Sequence, residues 1–140
     1  MNTVKLFRVS LFSPSDPRRT IYDVTFPQEV PFAVVQIKDV VFTDKAVEEA
    51  WGVGNHYHSP ESNRWELFVA LGDSGVPLFR FRYRQAGEKE FQETEMKAGD
   101  ACLIPPGNSH AFVALLSGAT LRGISNLAYN AAHDVPDKLF

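Results

Sequence analysis

Gly99-Asp-Ala-Cys-Leu-Ile-Pro105-Pro-Gly107-Asn-Ser-His110 reads as a short strand caught between two tight turns. Gly99 and Gly107 permit positive φ at the entry and exit, and Pro105 and Pro106 lack the N–H donor that would continue a ladder, so pairing must end there. Asp100 suits a capping position in the first turn. Cys102 alternates with Asp100 and Ile104, which aims it at the interior or its packed wall. His110 then opens a second strand with Phe112 on its own side.

Working outward, apolar residues recur with a short period and are broken by Pro, Gly, Asn and Asp clusters, which favours many short strands. Candidate strands are Val4 to Phe12, Phe32 to Phe42, Glu66 to Leu71, Leu78 to Arg84, Ala101 to Ile104, His110 to Leu115 and Thr120 to Ile124. Only Asp44 to Trp51, rich in Ala and Glu behind a Thr43 cap, has the composition of a short helix. Leu78 to Arg84 alternates most cleanly. Phe79, Phe81 and Tyr83 share one face for the core, and Arg80, Arg82 and Arg84 share the other, where they face solvent, a subunit or an anionic ligand such as a nucleotide diphosphate. Short alternating strands need closure or a second sheet to protect their edges, so the expected fold is all-β.

The chain has 140 residues, 44% hydrophobic, 12% aromatic and 22% charged. These are the proportions of a folded domain that buries roughly two thirds of its unfolded surface without a structural metal. No internal repeat or linker splits it, and one domain over residues 1–140 is expected. Fourteen Lys and Arg against seventeen Asp and Glu give a net charge of −3, which argues against nucleic acid or an anionic membrane as partner. A single cysteine rules out an intrachain disulfide and a Cys-based zinc site. No run approaches the ~18 apolar residues of a membrane span, and Arg8 interrupts the N-terminal apolar stretch, so a cytoplasmic location is expected.

Four histidines are present, and two form His56-Tyr57-His58. In a strand, residues two apart share a face, so both imidazoles can converge on one point while Tyr57 turns away. Glu66 opens the next apolar run on the face shared by Phe68 and Ala70, and a buried carboxylate needs a partner. With His110, three imidazoles and a carboxylate suit iron, manganese, nickel, copper or zinc and leave coordination positions open.

Gly54-Asn-His56-Tyr-His58 with Glu66, followed by the stretch from Gly99 to His110, resembles the two-box signature of the cupins. The second box follows the family form G-x5-P-x-G-x2-H at every defined position, and the two boxes span about residues 52–72 and 99–112. The resemblance implies a double-stranded β-helix, or jelly-roll barrel, with a site at its mouth. The implied metal ligands are His56, His58, Glu66 and His110. Seven residues separate His58 from Glu66, more than the family usually has, and Glu61 lies nearer the usual gap. Glu61 sits in a turn, so Glu66 is preferred as the inward carboxylate.

The stretches Glu66 to Leu71 and Ile104 to Gly107, with the tail Ser125-Asn-Leu-Ala-Tyr129-Asn, are also similar to nucleotide-sugar ketoisomerases and 3,5-epimerases. That similarity implies metal-free chemistry with His56 as base and Tyr129 as acid. Three functions follow: a metal-dependent enzyme on a small polar or carbohydrate-like molecule, oxygenase or isomerase in type; a metal-free sugar-nucleotide isomerase or epimerase; and a non-catalytic ligand-binding or metal-binding cupin. A small-molecule pocket lined by Phe68, Ala70 and Phe112 is common to them. His133 and the tail from Asp134 to Phe140 match no box and are expected at the surface. The apolar segment Val4 to Phe12 has no obvious place in the barrel, which predicts a homodimer.

Overall fold

The computed structural model describes residues 3–140. The elements run β1 (Lys5–Arg8), β2 (Ser10–Phe12), β3 (Ser15–Asp16), β4 (Arg19–Thr20), β5 (Asp23–Thr25), β6 (Gln36–Val41), α1 (Asp44–Glu48), β7 (Gly52–His58), β8 (Glu66–Leu71), β9 (Pro77–Gln85), β10 (Gln92–Lys97), β11 (Asp100–Ile104), β12 (Asn108–Ala114), β13 (Thr120–Ser125) and β14 (Asp134–Pro136). Two five-stranded sheets dominate, ordered β1-β11-β8-β13-β6 and β10-β9-β12-β7-β14, and every pairing in them is antiparallel. Their inner faces meet in one apolar core. This is a jelly roll built as two facing sheets with open edges, where the sequence led us to expect a closed barrel.

The alternation of β9 places Phe79 and Phe81 in that core, where Phe81 stacks on Phe112 at 4.5 Å between ring centroids and Phe112 meets Phe68 edge-on at 5.2 Å. Strand β8 is buried throughout, so it must be covered on both faces. Phe68 and Ala70 point inward, whereas Leu67, Val69 and Leu71 join a second cluster with Val9, Phe26, Val30, Phe32 and Trp65 on the outer face of the sheet. The stretch from Val9 to Phe32 is therefore the outer cover of the first sheet.

Several expectations are corrected here. The predicted strand Val4 to Phe12 breaks at Val9, whose N–H donates to the Gly99 carbonyl at 2.9 Å, giving β1 on β11 and β2 on β5. Both halves of the segment find antiparallel partners within the chain. The predicted strand Phe32 to Phe42 begins only at Gln36, because Phe32 instead packs into the outer cluster. Helix α1 has the expected Thr43 cap, which accepts from Ala46 N–H at 3.3 Å, but stops before Trp51, since Ala50 turns into the left-handed region at φ 50°. Strand β10 carries little apolar periodicity, with only Met96 fully buried, and gave no sequence signal.

Phe112 touches three other phenylalanine rings and is 1% exposed. Phe112→Ala is expected to cost about 3–5 kcal/mol of stability, read as a lower urea midpoint at unchanged m-value.

Candidate active site

Strand β7 delivers His56 and His58 to the space between the sheets, and β12 delivers His110 directly opposite His56 in the register. A bulge makes this possible. The pairing shifts between His110 and Ala111, with Gly54 at φ 99° and Asn55 at φ 55° on the bulged strand. A Cβ at Gly54 would lie 2.6 Å from the His110 carbonyl oxygen, so only glycine lets the two strands approach here. The long gap between His58 and Glu66 is taken up by a 3-10 turn at Pro60–Ser62 and by Asn63 at φ 54°, after which Glu66 opens β8 on the inner face. Glu61 lies on that turn and is exposed.

One donor atom from each of His56, His58, Glu66 and His110 falls within 4.8 Å of all the others. The ring centroids of His56 lie 4.9 Å from those of both His58 and His110. The Glu66 carboxylate is the hub, with Oε1 2.5 Å from His58 Nε2 and 3.4 Å from His110 Nε2. Its Oε2 lies 3.4 Å from Lys38 Nζ and 3.5 Å from Arg64 Nη2. Burial pushes the Glu66 carboxyl up, but hydrogen bonds from His110 and His58 and their charges together outweigh it and hold the group well below the usual carboxylate range.

His58 is buried and held at both ends, since its Nδ1 meets Asp134 Oδ1 at 2.8 Å. His110 Nδ1 donates to the Asn108 carbonyl at 3.0 Å, which turns its Nε2 toward Glu66. His56 differs. It makes no hydrogen bond within the described residues, its Nδ1 lies 3.8 Å from Asp134 Oδ2, and it lines a cavity of about 60 Å³ with Lys38, Glu66, Phe68, His110 and Phe112. Burial first, then repulsion from His110 and His58, pushes its pKa down to about 4, so the ring is neutral at physiological pH.

Three participants escaped the sequence reading. Asp134 was placed with the surface tail, yet β14 pairs with β7 in the register Asp134 to His58 and brings the carboxylate onto that imidazole. Arg64, 1% exposed, donates from Nη1 to the Leu127 carbonyl at 2.8 Å and from Nη2 to Gln36 Oε1 at 2.9 Å, tying the carboxylate hub to the loop before Tyr129. Lys38 was legible in principle, because it alternates with inward Val40 on β6. Tyr129, the expected acid, is 58% exposed and is not among the residues lining the cavity; its hydroxyl donates to Asp134 Oδ2 at 3.3 Å. Cys102 is buried and desolvation raises its thiol pKa far above the ordinary value, so it supplies no thiolate.

Two arginines of the row are engaged within the chain. Arg82 donates to Glu93 at 2.7 Å and to the Leu139 carbonyl at 2.6 Å, and Arg84 pairs with Asp137 at 2.5 Å, all on the face away from the imidazoles.

No protein-family model and no curated protein sequence matches this chain. Solved structures do. A variant of the sugar 3,4-ketoisomerase from Thermoanaerobacterium thermosaccharolyticum, in complex with TDP-4-keto-6-deoxyglucose, superposes with a TM-score of 0.69 at 13% identity, covering 96% of this chain and 88% of that one. The TDP-quinovose 3,4-ketoisomerase from Campylobacter jejuni gives 0.68 at 16% identity over 98% and 95%. A 4-keto-6-deoxy sugar epimerase from Streptomyces spheroides gives 0.67 at 16% identity over 95% and 68%. The likeness is one of fold: this chain shares the two-sheet jelly roll of these solved structures. Among the described residues no helix is long and apolar enough to cross a membrane.

His56 generates a pH prediction. The unfolded chain protonates it near the ordinary value of 6.5 and the folded chain only near 4, so acid favours the unfolded state across that window. Stability should fall by on the order of 2 kcal/mol between pH 7 and pH 5 from this residue. A His56→Gln variant should show a correspondingly flatter dependence in urea titrations at the two pH values.

Proposed function

We propose that this chain is a nucleotide-sugar isomerase or epimerase that moves a proton on the carbon beside a sugar ketone, with His56 as the base. One observation carries the reading: of the three clustered imidazoles, His56 alone lines the cavity free of a hydrogen bond and is kept neutral there. A base must be unprotonated and open to the carbon acid, and a neutral His56 on the cavity wall supports that role. The shared fold of the 3,4-ketoisomerases and the 4-keto-6-deoxy sugar epimerase supports the substrate class.

Each step falls to a group already described. His56 removes the C–H proton, and the electron pair passes through the new C=C to the carbonyl oxygen. Lys38 lines the cavity beside Glu66, and its remaining N–H donors would stabilise the developing oxyanion. Phe68, Phe112, Val40, Val53 and Leu121 keep water away while the proton is held. Return of that proton from His56 to the neighbouring carbon on the same face, as the hydroxyl proton of the first carbon passes to the former carbonyl oxygen, gives the ketoisomer; epimerisation needs a second acid on the opposite face of the enolate. Asp134 and Glu66 orient His58, which packs against His56 at 4.9 Å. The cavity takes the reacting end of the sugar, and the nucleotide lies outside it.

A second reading rests on a separate observation. His58 and His110 both have Nδ1 engaged by an oxygen and turn Nε2 toward Glu66, the orientation that an outer oxygen partner gives a metal-ligating histidine. His56, His58, Glu66 and His110 would hold a divalent transition metal, which would supply Lewis acidity.

In deuterated water the protein should wash deuterium into the carbon beside the ketone of TDP-4-keto-6-deoxyglucose. His56→Asn should slow that exchange by roughly 10²–10⁴-fold. No exchange by the unmutated protein on 4-keto nucleotide sugars would defeat the isomerase reading. Stoichiometric metal in protein purified without an affinity tag, lost together with activity in His110→Ala, would establish the second reading instead.

A further inference from the structure

We infer that residues 134–140 form a strap that positions the site's imidazoles from behind, with the Arg84–Asp137 ion pair as its lock and Arg84 as a positioning residue. The strap meets the site at two points. Strand β14 sets Asp134 against His58, with Nδ1 to Oδ1 at 2.8 Å. Three amides, meanwhile, converge on Asn55, the bulge residue immediately before His56. Asp137 N–H donates to the Asn55 carbonyl at 2.8 Å, and the Leu139 and Phe140 N–H groups donate to Asn55 Oδ1 at 2.8 and 3.0 Å. The bulge fixes where His56 emerges from β7, so its conformation and the His58–Asp134 contact depend on the same seven residues.

What holds the strap is the outer face of β9 and β12. Asp137 accepts from Arg84 Nε and Nη2 at 3.2 and 2.5 Å, a bidentate fork whose partners are only 17% and 20% exposed, and also from the Ser109 hydroxyl. Two residues on, Arg82 donates to the Leu139 carbonyl and lies between the Phe91 and Phe140 rings, 4.5 and 4.2 Å from their centroids. Strand β14 contributes only three residues of pairing, too few to stay docked alone. Ser109 and His110 are neighbours on β12, so the residue fastening the strap outside stands next to a member of the cluster inside.

The test is nuclear magnetic resonance on the whole chain, with Arg84→Met and the isosteric Asp137→Asn. Both should raise hydrogen exchange at the Asp137 and Leu139 amides by roughly 10- to 100-fold and abolish the slowly exchanging His58 Nδ1–H signal, with the Phe81 and Phe112 amides keeping their protection. Arg84→Lys, which keeps the charge without the fork, should fall between. Unchanged exchange and an intact His58 signal in both variants would overturn the strap. Loss of protection spreading equally to Phe81 and Phe112 would also overturn it, because the pair would then support the sheet as a whole. No turnover is measured, so this result stands or falls separately from the isomerase reading.

Discussion

The carboxylate of Glu66 sits 2% exposed between two sheets, and a charge so placed demands compensation from every side. Two imidazoles from the opposite sheet, an arginine from the preceding turn and a lysine from β6 supply it. Each of those partners is in turn held where the charge needs it. Arg64 is anchored to carbonyls of the loop at residues 127–128, His58 to Asp134 and His110 to its own turn. Removing the hub would leave an arginine buried and two imidazoles without their acceptor, so the site and the upper end of the fold are one electrostatic unit.

The second sheet uses both of its faces. Inward, β7, β9 and β12 carry imidazoles and phenylalanine rings; outward, β9 carries arginines that bind the returning chain. Period-two alternation separates these tasks without conflict, since each residue's neighbour in sequence belongs to the opposite task. His56 is spared the structural demands its neighbours meet: His58 and His110 satisfy the carboxylate, and His56 faces the cavity without a hydrogen bond among the described residues.

Much of this was legible in the sequence because it rests on local rules. His56 and His58 share a face by alternation, Phe79 and Phe81 reach the core for the same reason, and Gly99 and Gly107 mark turns that need positive φ. The choice of Glu66 over Glu61 followed from one being in a strand and the other in a turn. What stayed hidden depends on contacts distant in sequence. Asp134 stands 76 residues from His58, and nothing around it alternates or caps in a telling way. The arginine row was read correctly as one face, but whether that face met solvent, a ligand or the chain's own tail is set by where the tail goes. The N-terminal segment shows the same limit, because local pattern announces a strand and not its partner.

Strand β1 takes its place only against β11, with Lys5 beside Leu103 and Arg8 beside Asp100. Some ninety residues must therefore leave the ribosome before the first strand has anything to pair with, and the apolar cover from Val9 to Phe32 emerges with no sheet to lie on. Closing so long a loop is slow, and such segments are the ones chaperones hold. Strand β1 and the apolar cover that follows it are thus made well before the strands they pair with and pack on.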